Sequence, residues 1–215
     1  MGSNYSACAN SGTRHESDYY ETPYSTTEQL LETGIIRPNS EILEPASGGG
    51  AIVKVLLAAG HRVTIGDIST GQNFFDESRQ FDIVLTNPPF HYAQEFVLKA
   101  KEVARHKIAF LLPADYLHGI ERFETLWNDT DFPLHSVWYF TRYTMFGDPL
   151  LETGKYNTGM KVVAWFIWDR KHRGNAAIHW INNQKYILHE GEEGYISQNQ
   201  RKVINAAKRE KNKSR

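Results

Sequence analysis

The chain has 215 residues, with 24 Lys and Arg against 25 Asp and Glu, for a formal net charge of −1. That length suits one α/β domain with a substantial core, and the balanced charge gives the molecule as a whole no polyanion-binding signature. A single cysteine, Cys8, excludes a disulfide framework or a cysteine metal cluster and fits a reducing, cytoplasmic setting.

Residues 1–17 are small and polar without periodicity and read as a leader ahead of the folded domain. Met1-Gly2 with Ser6 satisfies the short N-myristoylation pattern, but no second membrane signal adjoins it, and no apolar run approaches the roughly 18 residues that span a bilayer. A first helix is predicted from near Thr27, capped by Ser25 or Thr26, with Leu30 and Leu31 inward and Gly34 ending it. Glu41-Ile42-Leu43 is a short strand that stops at Pro45. The apolar segment Ala51–Ala59 is a helix packed on a sheet, and Val63-Thr64-Ile65 is a second strand ending at Gly66-Asp67. Phe81–Leu85 is the next strand. Tyr92 to about Arg105 has helical spacing at Phe96, Val97, Ala100 and Val103, followed by a strand at Ile108–Leu112 and a helix at Ile120–Trp127.

This β-α-β order predicts an α/β fold with a mostly parallel sheet covered on both faces. Ser136–Phe140 and Lys161–Trp168 are strands separated by a loop without a helix, which predicts an antiparallel hairpin at the end of the sheet. The expected division is a leader at 1–17, a domain at 18–190 and a basic tail at 191–215. The tail carries Arg201, Lys202, Lys208, Arg209, Lys211, Lys213 and Arg215, either as a solvated terminus or as an arm that touches phosphates.

Two stretches could carry chemistry. In the first, a strand ends at Glu44-Pro45-Ala46 and turns through Gly48-Gly49-Gly50 into a helix, a geometry that lets backbone approach a nucleotide cofactor. Asp67 follows at the end of the next strand, where a carboxylate can accept from ribose hydroxyls. Counting from Gly48, the third position of a dinucleotide fingerprint is Val53, and no Gly-Lys-Ser/Thr follows the turn. A nucleoside cofactor without phosphates fits better than NAD or ATP.

The second stretch is Asn87-Pro88-Pro89-Phe90, just past a strand end on the same sheet edge. The Asn87 side-chain oxygen and the Pro88 carbonyl can each accept an N–H from an exocyclic amine, and Phe90 can stack on its ring. Those bonds strengthen as positive charge develops on the nitrogen, so they favour the transition state. His91, beside Phe90, is a candidate substrate contact. The histidines form no i, i+4 pair around a carboxylate, so no metal is expected. Trp165 and Trp168, three apart on one strand, face opposite sides and read as core. Asp115 follows a strand on the same edge and is a candidate for the pocket rim.

Glu44 to Gly50 followed by Asn87 to Phe90 resembles the S-adenosylmethionine-dependent amino-methyltransferases, especially the DNA adenine-N6 enzymes of the small phage type. The resemblance covers roughly residues 19–170. It implies a Rossmann-like class I methyltransferase fold, with a mostly parallel seven-stranded sheet closed by an antiparallel C-terminal hairpin. It also implies S-adenosylmethionine as cofactor and methyl transfer to the N6 amine of adenine in DNA. Residue by residue, it puts Tyr20, Thr22 and Pro23 against the methionine part of the cofactor. Glu44, Pro45, Ala46, Gly48 and Gly50 then form its turn, and Asp67 binds its ribose. Asn73 and Phe74 fall at the cofactor adenine, although the family usually has Asp where this chain has Asn73. Arg142 and Phe146 fall in the loop that lines the target-base pocket.

Family members that choose a DNA sequence usually carry a separate recognition domain, and the segment 169–215 is too short for a large one. Sequence choice is therefore expected to come from a dimer partner or a separate recognition subunit, if the chain has it at all. The same tetrad also suits amines in RNA and glutamine amides in protein, and a catalytically silent nucleic-acid-binding subunit is the rival from another class.

Overall fold

The computed structural model describes residues 22–140 and 162–182. Tyr20, the loop containing Arg142 and Phe146, the expected leader and the basic tail lie outside the described residues. Seven strands form one sheet: β1 (Glu41–Glu44), β2 (Arg62–Ile65), β3 (Phe81–Thr86), β4 (Ala104–Pro113), β5 (Leu134–Phe140), β6 (Val163–Asp169) and β7 (Ala177–Ile181). Their order across the sheet is β2-β1-β3-β4-β6-β5-β7. β1 pairs parallel with β2 and β3, β3 with β4, and β5 with β7. β6 runs antiparallel between β4 and β5. The expected seven-stranded, mostly parallel sheet with its antiparallel closure is therefore present.

Helices cover both faces. Along β6 the side chains alternate with the period of a pleated strand. Val163, Trp165 and Ile167 pack with Leu30 of α1 (Tyr24–Glu32) and with Ile52 and Leu56 of α2 (Ala51–Ala58). Ala164, Phe166 and Trp168 pack with Phe96, Val97 and Ala100 of α3 (Ala93–Val103) and with Leu126. Leu126 belongs to a π-helical turn, Phe123–Trp127, that continues α4 (Ile120–Arg122). Burial on both faces is why β6 reads as an unbroken apolar run. Trp165 and Trp168 are fully buried on opposite faces, as their spacing predicts.

Three details differ from the sequence reading. α1 starts at Tyr24, and Pro23 rather than Ser25 or Thr26 occupies its N-cap with no side-chain cap bond. The first turn is used for packing instead: Thr26 is buried, and its carbonyl accepts from Trp165 Nε1 at 3.1 Å. β4 begins at Ala104, directly after α3 ends at Val103, four residues before the expected start. β7 has no counterpart among the strands placed from sequence. Its Ile178 and Trp180 face outward, so its alternation carries no signal for a buried face.

Trp165 fills the centre of one layer and ties α1 to the sheet through its indole N–H. Trp165→Ala is expected to lower unfolding free energy by about 3–5 kcal/mol, as other buried Trp truncations do. Urea denaturation followed by far-UV circular dichroism measures the loss.

Candidate active site

Parallel pairing brings the ends of β1, β2 and β3 to one edge of the sheet, where ligands of open α/β folds bind. A cleft of about 850 Å³ lies along this edge. Pro45 to Gly49, Asp67, Asn73, Phe74 and all four residues of Asn87 to Phe90 line it. Two motifs about forty positions apart in sequence thus form one site.

The glycine turn is held from below and from the side. Gly66 N donates to the Glu44 carbonyl at 2.8 Å and Ser47 N donates to the Gly66 carbonyl at 3.0 Å, so the turn is hooked to the end of β2. Gly48 and Gly50 have φ of 48° and 77°, left-handed values that disfavour a side chain. Gly50 caps α2 behind the turn and does not itself line the cleft.

Asp67 fastens the same turn. Its Oδ2 accepts from Gly48 N at 2.8 Å, and its Oδ1 accepts from Ser69 N at 2.9 Å and Ser69 Oγ at 2.5 Å. Partial burial would raise the pKa of this carboxyl, but the bonds from Ser69 and Gly48 together bring it below the usual value. Asp67 is therefore an ionised acceptor on the cleft wall, with capacity left for a ligand hydroxyl. Asn73 also lines the cleft, where its Oδ1 accepts from Phe75 N at 3.2 Å and its Nδ2 donates to Asp76 at 3.2 Å. Phe74 beneath it is buried against Phe96, with ring centroids 5.1 Å apart.

The tetrad follows β3 directly. Asn87 Nδ2 donates to Thr22 Oγ1 at 3.1 Å, which anchors the amide. Thr22 is buried and lines the cleft with Asn87. The N-terminal Thr22-Pro23 pair is thus brought to the tetrad, although Pro23 itself caps α1 outside the lining. Phe90 starts a 3₁₀ turn, Phe90–Tyr92, that leads into α3. His91 is exposed and outside the lining, where its ring meets the edge of Tyr92. Asp115 is also exposed and outside it.

Glu44 lies beneath the turn, fully buried and outside the lining. Its Oε1 accepts from Thr86 Oγ1 at 2.5 Å and from Ala46 N at 3.0 Å. Burial, opposed by those two bonds and aided by the charge of Asp67, pushes the carboxyl up to about 8. Glu44 is mostly protonated at neutral pH.

Several lining residues were not read from the sequence. Ile68, Ser69 and Gln72 follow Asp67 in a 3₁₀ turn and its exit, while Phe75, Tyr92 and Phe96 form an aromatic wall. The helical spacing puts Phe96 on the inner face of α3, and that face also borders the cleft. Phe75 is exposed and meets Phe96 edge-on at 5.4 Å. An apolar residue directly after the strand-end acid was the one available signal, at Ile68.

No protein-family model matches the chain, and no curated sequence matches it. Solved structures match by fold. The M protein of the type I restriction enzyme EcoKI aligns over 86% of this chain and 52% of its own, with TM-score 0.52 and 12% identity. A chain from a type I restriction-modification complex aligns over 87% of this chain and 49% of its own, with TM-score 0.51 and 16% identity. Magnesium protoporphyrin IX methyltransferase from Synechocystis PCC 6803, solved with bound S-adenosylmethionine, aligns over 68% of this chain and 77% of its own, with TM-score 0.48 and 14% identity. The chain spans about half the length of the two type I chains. At these identities the likeness is one of fold. The fold is the Rossmann-like methyltransferase fold, with its sheet edge open as a cleft.

A pH dependence follows from Glu44. An unfolded carboxyl titrates near 4.5 and the native one at about 8, so between those values the folded chain holds a proton that the unfolded chain has lost. The stability contributed by this group is full below about 4.5, declines as pH rises toward about 8, and is flat above it. Urea denaturation from pH 5 to 9 is expected to show this decline in the wild type relative to Glu44→Gln, which cannot titrate.

Proposed function

We propose that this chain is an S-adenosylmethionine-dependent methyltransferase that acts on the N6 amine of adenine in DNA. The observation that carries the reading is the Asn87 amide, anchored by Thr22 and facing the same cleft as the glycine turn and Asp67. That cleft fits the cofactor. It offers a turn without side chains, an ionised acceptor for ribose hydroxyls at Asp67 and apolar walls at Ile68 and Phe74. At about 850 Å³ it is within the range of small-molecule sites and has room for more than a nucleoside.

The bound cofactor supplies an electrophilic methyl group on a sulfonium. The chain's own residues prepare the nucleophile. The lone pair of an exocyclic amine is delocalised into its ring, so attack requires the nitrogen to pyramidalise. Asn87 Oδ1 and the Pro88 carbonyl accept the two amine N–H bonds and hold that geometry, with their strength growing as charge develops. Pro88 and Pro89 restrict the backbone that carries these acceptors, and Phe90 stacks on the base. Adenine in duplex DNA must leave the stack to reach the cleft. Recognition of a particular sequence is assigned to a dimer partner or a second subunit, and two chains that share the fold come from type I restriction-modification systems.

Incubation with methyl-labelled S-adenosylmethionine and DNA, RNA or protein, followed by nucleoside and peptide mass spectrometry, tests this. N6-methyladenine in DNA is the expected product. Asn87→Ala is expected to lower the rate by about 10²–10³, the typical cost of losing one transition-state hydrogen-bonding group, while cofactor affinity stays within a few-fold. Label found only in RNA or only in protein overturns the DNA assignment. No cofactor binding at millimolar concentration overturns the enzyme reading in favour of a silent subunit.

A further inference from the structure

Among the described residues, Glu44 is the one carboxyl that touches both halves of the site. Its Oε1 receives the backbone N–H of Ala46, in the glycine turn, and the hydroxyl of Thr86, the residue before Asn87. Glu44 and Thr86 are 42 positions apart in sequence, so one side chain fixes the turn relative to the tetrad. Its Oε2 is buried and has no hydrogen-bond partner among the described residues. With Oε2 buried and unpartnered, a neutral acid costs less than a carboxylate: Oε1 acts as its carbonyl oxygen, and Oε2 carries the proton.

We propose that Glu44 is a positioning residue that couples the cofactor turn to the catalytic tetrad, and that it releases its proton when a cationic cofactor enters the cleft. The inference rests on the reading of S-adenosylmethionine as cofactor. The charges around Glu44 favour the exchange. Burial holds the proton on Glu44, and the negative charge of Asp67 beyond the end of β2 adds to it. β3 presents the neutral Thr86 and Asn87 at this end, and Thr22 beside Asn87 is neutral as well. Lys54 on α2 directs its ammonium to the Tyr24 hydroxyl at 3.3 Å. A positive ligand over the turn favours the Glu44 carboxylate by direct attraction and also offsets the charge of Asp67. The O–H bond of Glu44 breaks, its electron pair stays on the carboxylate, and the proton passes to buffer. Ionised Glu44 then holds the Thr86 hydroxyl and the Ala46 N–H more strongly, because hydrogen bonds to a charged acceptor are stronger. Cofactor binding thereby tightens the link to the tetrad.

Isothermal titration calorimetry of the full chain with S-adenosylmethionine, at pH 7 in two buffers of different ionisation enthalpy, reads the protons released. Wild type is expected to release nearly one proton per cofactor more than Glu44→Gln, which keeps any contribution from the cofactor's own amine. Below about pH 8 the wild-type Kd is expected to tighten as pH rises, by up to about tenfold per pH unit, relative to the variant. Thr86→Val removes a bond that favours the ionised form, so it moves this pH dependence upward. Binding in wild type with no proton release beyond that of Glu44→Gln overturns the inference and leaves the cofactor reading standing. If Glu44→Gln does not fold, wild-type release of no more than the free cofactor's amine can supply overturns it as well. Absence of binding in any buffer overturns the cofactor reading and this inference together.

Discussion

The parallel pairing of β1 with β3 is the constraint on which the site depends. Ile42 opposes Ile83 and Leu43 opposes Val84, so both strands end at the same edge within one residue of each other. The glycine turn leaves β1 there and the tetrad leaves β3 there. An antiparallel pairing of the same two strands would send these motifs to opposite edges of the sheet. The register also sets Glu44 beside Thr86, and the hydrogen bond between them locks the pairing at its functional end. β6, buried on both faces with two tryptophans, supplies the mass of the core that keeps this edge rigid.

Two carboxyls flank the glycine turn in opposite states. Asp67 sits partly in solvent, accepts three hydrogen bonds and is held ionised. Glu44 lies beneath the turn without solvent, accepts two hydrogen bonds on one oxygen and is held neutral. Desolvation acts on both in the same direction, and its far greater extent at the fully buried Glu44 decides the difference. Each bonds a backbone N–H of the turn: Gly48 for Asp67 and Ala46 for Glu44. The turn keeps its left-handed glycines in place through these two contacts, and only Asp67 is left on the cleft wall.

Much of this was legible in the sequence because strand and helix periods are strong where burial is complete. Phe96, Val97, Ala100 and Val103 are buried as their spacing demands, and the opposed tryptophans of β6 follow from a period of two. The glycine turn, Asp67 and the tetrad were readable because each sits at the end of such an element. What escaped the sequence was decided by tertiary contact. The start of α1 depends on Trp165, 139 positions from Thr26. β7 pairs with β5 through backbone, which leaves no apolar alternation to read. The protonated state of Glu44 depends on burial under a turn outweighing the bond from Thr86, and neither has a sequence signal. Tyr20, Arg142 and Phe146 lie outside the described residues.

The central claim is that one cleft holds a nucleoside cofactor over the glycine turn with its reactive end toward Asn87. A crystal structure of the chain with sinefungin, in which an amine replaces the transferable methyl group, tests it most directly. The account predicts ribose hydroxyls within about 3 Å of Asp67, the nucleoside over Gly48, and the substituted amine directed at Asn87. Sinefungin bound outside this cleft, or bound in it with that amine turned away from Asn87, would contradict the account.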